Sequence, residues 1–186
     1  MIILTGFGPF GKYKTNLSTQ IVKSVPLEFD GFQFTKEVIP VSWKDSIRKY
    51  NQLLTKLNAH PELVILLGIH SKKEIHLETY GWNFKFGDDK NKKVKFGPII
   101  LYHSIWIKTM LDLNKIYYNL EDKSKISISY FPGFYICNYL YFWALWISKK
   151  AYPVIFIHFP DKGEISDHIL KFEKILKSIK KVYFKK

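Results

Sequence analysis

Leu63-Val64-Ile65-Leu66-Leu67 is an unbroken run of five apolar residues, closed by Gly68. A strand with one wet face alternates apolar and polar residues. A run with no polar member suits a strand buried on both faces, and such strands belong to parallel sheets covered by helices. Val154 to Ile157 reads the same way. Outward from these two, Ile2–Leu4, Phe32 to Val41 and Ile126 to Ser129 read as further strands. Stretches of helical period lie between them. Asn16 to Val25 has Asn16 or Ser18 as its cap, and Trp43 to Leu57 carries Ile47, Leu54 and Leu57 on one face. Ile105 to Ile116, the apolar segment around Cys137, and the amphipathic Ile165 to Ile179 also read as helices. His76 to Phe86 reads as an extended segment near an edge or in a hairpin, and Asp88 to Lys95 as a charged loop. Strands alternating with helices predict an α/β sheet covered on both faces.

The 186 residues suit one domain, and no linker, repeat or break in composition marks a second. At 47% hydrophobic the chain can bury a sizeable core. The longest apolar stretch, 131–147, is interrupted by Pro132, Gly133, Cys137 and Asn138, too short and too polar to span a bilayer. No N-terminal signal pattern is present, so a soluble, cytoplasmic protein is expected. A single cysteine excludes an internal disulfide framework, fits a reducing compartment and leaves no cysteine-based zinc site. The net charge of +13 invites a nucleic-acid reading. Yet Arg48 is the only arginine, and the lysines are scattered apart from runs near 90–95 and at the C-terminus. Readers of base edges lean on the arginine fork, so a solvated lysine surface without specific nucleic-acid binding is expected.

Three residues carry the chemistry. Cys137 follows the Pro132-Gly133 break at the start of an apolar helix, where free N–H groups and the helix dipole favour a thiolate and can bind an oxyanion. The bland alternative is a small buried hydrophobe. His158 ends the run Val154–Ile157, at the sheet rim where α/β folds bind ligands, placed to act as base and then acid. Its alternative is a hydrogen-bonded core histidine. Glu78 stands in a mostly uncharged stretch and could orient an imidazole; otherwise it is an exposed glutamate on an edge strand. His60, His70, His76, His103 and His168 read as loop or helix-surface residues, with His70 and His76 too far from acidic partners to suggest a metal. The turn Gly6-Phe7-Gly8-Pro9-Phe10-Gly11 lacks the lysine and hydroxyl of a phosphate loop. Its two phenylalanines suggest a flat apolar binding wall, or else simply core aromatics at a tight turn.

Taken in order, these stretches resemble the pyroglutamyl peptidase I (pyrrolidone-carboxylate peptidase) family. The resemblance is carried by Thr5–Gly11 with Asn16, Ile39-Pro40-Val41, Leu66-Leu67-Gly68, Glu78 with Asn83, Gly133–Tyr139 around Cys137, and Phe156–Pro160 around His158. It implies a single-domain three-layer α/β/α sandwich over 1–186, with a mixed, largely parallel sheet. It also implies a cofactor-free and metal-free Cys137–His158–Glu78 triad that removes N-terminal pyroglutamate from peptides, and often a homotetramer. By the same resemblance Phe7 and Phe10 stack on the lactam ring, Tyr135 and Ile136 complete the pocket, and Asn16 supports the phenylalanine loop. The chain departs from the family in three places. Ile69–Glu74 replaces a glycine-rich stretch, Lys85–Lys90 holds no arginine where the family has one, and Val41 replaces a small polar residue. Two alternatives stay open: a divergent cysteine hydrolase acting on another small amide, and a non-catalytic basic binding protein.

Overall fold

The structure, a computed structural model, describes residues 1–11 and 14–184. In chain order the strands are β1 (Ile2–Phe7), β2 (Glu28–Phe29), β3 (Phe32–Ile39), β4 (Leu63–His70), β5 (Ile75–Glu78), β6 (Tyr80–Trp82), β7 (Lys85–Asp88), β8 (Val94–Gly97), β9 (Trp106–Lys108), β10 (Ile126–Ser129) and β11 (Val154–Pro160). The helices are α1 (Leu17–Ser24), α2 (Trp43–Thr55), α3 (Leu113–Tyr118), α4 (Ile136–Ser148) and α5 (Ile165–Tyr183).

Seven strands form one sheet in the order β10-β5-β11-β4-β1-β3-β2. Its four central strands, β11, β4, β1 and β3, are parallel, while β5 runs antiparallel to β11. The apolar runs that marked β4 and β11 as central strands are fully buried. Because strand side chains alternate between faces, the parity of residue numbers sorts the core into two layers. Leu63, Ile65, Leu67, Ile155 and Ile157 pack with α1, α3 and α5 on one face. Val64, Leu66, Val154 and Phe156 pack with α2 and α4 on the other. The sheet is therefore the middle of three layers, mixed and mostly parallel.

One sequence expectation is corrected and two are made more specific. Ile105–Ile116 is not one helix: Trp106–Lys108 pairs antiparallel with β6, and α3 starts only after Asp112. The Asp112 carboxylate accepts from the Lys115 N–H, which fixes the helix start there. The stretch from His76 to Phe86 is divided among three strands, and the first of them, β5, sits one place in from the sheet edge. The charged loop after Asp88 is the tip of the β7–β8 hairpin, held by Asp89, whose buried carboxylate accepts from the Trp43, Asn91 and Lys93 N–H groups. Among the described residues, no helix is long and apolar enough to cross a membrane.

Candidate active site

Cys137 is the second residue of α4, half-buried, and Tyr135 ends the helix without a side-chain cap. An apolar helix of this kind must be buried on nearly all sides, and α4 is wedged between the sheet and β6. Gly81 of β6 makes that approach possible, since a Cβ there would stand 2.8 Å from the Phe142 Cα. Asn138 fixes the helix to the segment beyond Glu78. Its buried amide accepts from the Trp82 N–H at 2.7 Å and donates to the Trp82 and Phe84 carbonyls at 2.8 Å each.

On the sheet, His158 and Glu78 share the face that packs against α4. Cross-strand pairing puts Phe156 opposite Glu78 and His158 opposite His76. Because β5 runs antiparallel, Glu78 lies deeper than His158, and it is 1% exposed rather than an edge glutamate in water. His158 Nδ1 and Glu78 Oε1 are 2.8 Å apart, and Tyr141 Oη donates to the Glu78 backbone carbonyl. Gly68 leaves the room for this: a Cβ there would come within 2.7 Å of the Phe156 ring and 3.1 Å of His158 Cδ2.

Cys137 is near enough to His158 to raise its proton affinity, while Glu78 holds the ring through Nδ1. Burial alone would lower the imidazole pKa, but its interactions with Cys137 and Glu78 outweigh it and raise the value to about 9. For Glu78, burial pushes the carboxyl up, while the His158 hydrogen bond and charge pull it further down, so the net direction is downward. At neutral pH the pair is charged.

Sequence reasoning placed His70 and His76 in loops or on surfaces, away from acids; both are strand residues beside the pair. The His70 ring stacks on His158 with centroids 5.3 Å apart and meets His76 edge-on at 4.5 Å. His76 Nδ1 is 3.9 Å from Glu78 Oε1. His168 lies on α5, buried, with Nε2 donating to the Lys162 carbonyl. Trp43 was also missed. Its ring meets Tyr135 edge-on at 5.8 Å, and Tyr135 faces Phe10 at 6.2 Å, so the three line one side of the cysteine end of α4. The Tyr135 hydroxyl donates to the Asp88 carbonyl, tying the hairpin to this wall. Phe7 and Ile136 are in the core, Phe7 against Phe156. Asn16 caps α1 by accepting from the Ser18 N–H and holds the turn through its donation to the Gly8 carbonyl at 3.2 Å. The described residues contain no group of side chains suited to a metal ion.

An α/β fold with a cysteine at a helix start beside a carboxylate-held imidazole suits a cysteine-type hydrolase. Compared with known proteins, the chain matches the family model described as pyroglutamyl peptidase over residues 1–180, and it belongs to that family. The pyrrolidone-carboxylate peptidase of Lactobacillus acidophilus is 30% identical over 167 residues, covering 86% of this chain and 82% of that one. That of Thermosipho africanus is 30% identical over 172 residues, with 86% and 80% covered. Among solved structures, the pyrrolidone carboxyl peptidase of Thermococcus litoralis aligns with a TM-score of 0.86 at 26% identity, covering 95% of this chain and 91% of that one. Membership in a peptidase family removes the binding-protein alternative.

Proposed function

We propose that the protein removes an N-terminal pyroglutamyl residue from peptides, with Cys137 as nucleophile, His158 as general base and acid, and Glu78 orienting the imidazole. The observation that carries this reading is the buried His158–Glu78 pair, 2.8 Å apart, with Cys137 beside it in the first turn of α4. His158 takes the proton of Cys137 as the sulfur attacks the carbonyl carbon that follows the lactam ring. The first-turn N–H groups of α4, lacking a side-chain cap, face the developing oxyanion. Collapse breaks the C–N bond, and the departing amine takes the proton from His158. Water, giving a proton to His158, then attacks the thioester; free pyroglutamate leaves and the thiol is restored.

A pyroglutamyl end has no amine to clamp, so an apolar slot with backbone hydrogen bonds is the fitting receptor. Phe10 and Tyr135 form its walls, Phe7 and Ile136 back them from the core, and Asn16 supports the turn that carries Phe10. The same reading carries a cytoplasmic, cofactor-free enzyme and a homotetramer, the latter checked by sedimentation. A second reading, hydrolysis of another small amide by the same triad, is favoured by the replaced segment Ile69–Glu74 and the arginine-free Lys85–Lys90. Release of an arylamine from pyroglutamyl-arylamide but not from glutaminyl-arylamide supports the first reading. Cleavage of neither, with Cys137 still reactive, supports the second.

A further inference from the structure

Two buried polar atoms beside the proposed triad lack a hydrogen-bond partner: His76 Nδ1 and Glu78 Oε2. Each such orphan is destabilising, so finding two on neighbouring side chains demands a reason. His76 Nδ1 lies 3.9 Å from Glu78 Oε1, a little beyond hydrogen-bond reach. The placement is set by the backbone, because His76 pairs directly with His158 across β5 and β11 and Glu78 follows two residues later on the same face. His70 completes the cluster, stacked on His158 and edge-on to His76, with its Nε2–H donated to the Glu74 carbonyl at 2.8 Å.

We propose that His76 is a positioning residue: its Nδ1–H is a further donor to the Glu78 carboxylate beside His158 and Ser129, while His70 braces the His76 and His158 rings. This rests on the triad reading above. Between His158 and Ser129 the carboxylate can still swing as the His158 ring gains and loses its proton, and a further donor two residues back on its own strand limits this. The role requires a neutral His76, since a second imidazolium would compete with His158 for Glu78. The groups facing the pair are Lys72 and Glu74 of the β4–β5 turn, His70 of β4, His158 of β11, Cys137 and Tyr141 of α4, and Ser129 of β10. Burial lowers the pKa of His76 against the pull of Glu78, and burial with the His158 charge lowers that of His70 to about 4. Both rings are thus neutral donors at neutral pH.

The test uses the full chain. Nitrogen NMR of the wild-type imidazoles should find His76 protonated at Nδ1 with a hydrogen-bonded proton; an unprotonated Nδ1 overturns the proposal, and this arm needs no turnover. His76→Leu should lower kcat on pyroglutamyl-arylamide about 10- to 100-fold, the rate equivalent of one hydrogen bond to a charged group, with KM unchanged. His76→Asn, whose amide nitrogen reaches the place of Nδ1, should restore most of the loss. Wild-type turnover in His76→Leu, or equal losses in both variants, overturns the role of His76 alone. A wild type with neither turnover nor enhanced alkylation of Cys137 near neutral pH defeats the triad reading instead.

Discussion

His158 Nδ1 and Glu78 Oε1 lie 2.8 Å apart across 80 residues of chain, and both side chains are shut away from water. The carboxylate holds the ring in one orientation and balances its charge. Glu78→Gln keeps the size but removes the charge that stabilises the imidazolium. It should lower kcat roughly 10²- to 10⁴-fold, less than the loss on removing Cys137, with a native circular dichroism spectrum.

Opposed histidine shifts set a stability optimum. The His158 pKa is raised from 6.5 to about 9 by Cys137 and Glu78 against burial, so its contribution is full below about 6.5 and is lost as pH rises through about 9. The His70 pKa is lowered from 6.5 to about 4, burial being the main cause, so folding releases a proton there and stability is lost as pH falls from 6.5 through about 4. The urea midpoint should therefore peak near pH 6.5 and fall on both sides, and His158→Gln should remove the alkaline decline. A midpoint still rising at pH 9 contradicts this.

Phe10 faces Tyr135 beside the cysteine end of α4 without being buried in the core. Phe10→Ala should raise KM for pyroglutamyl-arylamide about tenfold, the scale of one lost apolar contact, and leave kcat within a factor of about two. A fall in kcat at constant KM would assign Phe10 to the chemical step.

Gly68 stands where a methyl group would press on both Phe156 and His158. Gly68→Ala should destabilise the fold by about 1–3 kcal/mol, as overpacking does, and lower kcat by displacing the imidazole. Urea unfolding and turnover, measured on one preparation, check both.

Much of this was legible in the sequence, for reasons that differ by element. β4 and β11 announce themselves because central parallel strands need uninterrupted apolar runs. Cys137 stands at a helix start and His158 follows an apolar strand run, both local features, although β11 continues past His158 to Pro160. Glu78 was legible as a candidate but not as buried, because its depth comes from β5 entering the sheet antiparallel. His70 and His76 were misread for the same reason: only strand register sets them against His158 and Glu78. Ile105–Ile116 carried helical spacing, yet Trp106–Lys108 found a strand partner in Tyr80–Trp82. That pairing crosses more than twenty residues and leaves no local mark. Trp43 joins the site wall through the hairpin contacts of Asp89 and Lys93, longer in range still.

The central claim is that Cys137 does the chemistry, and it is the only cysteine in the chain, so one reagent tests it. The measurement is stoichiometric labelling by iodoacetamide, followed by mass spectrometry and by release of arylamine from pyroglutamyl-arylamide, across partial degrees of modification. Activity should fall in direct proportion to the fraction of Cys137 carrying the label and reach background when labelling is complete. Full labelling of Cys137 with undiminished release of arylamine would contradict the mechanism.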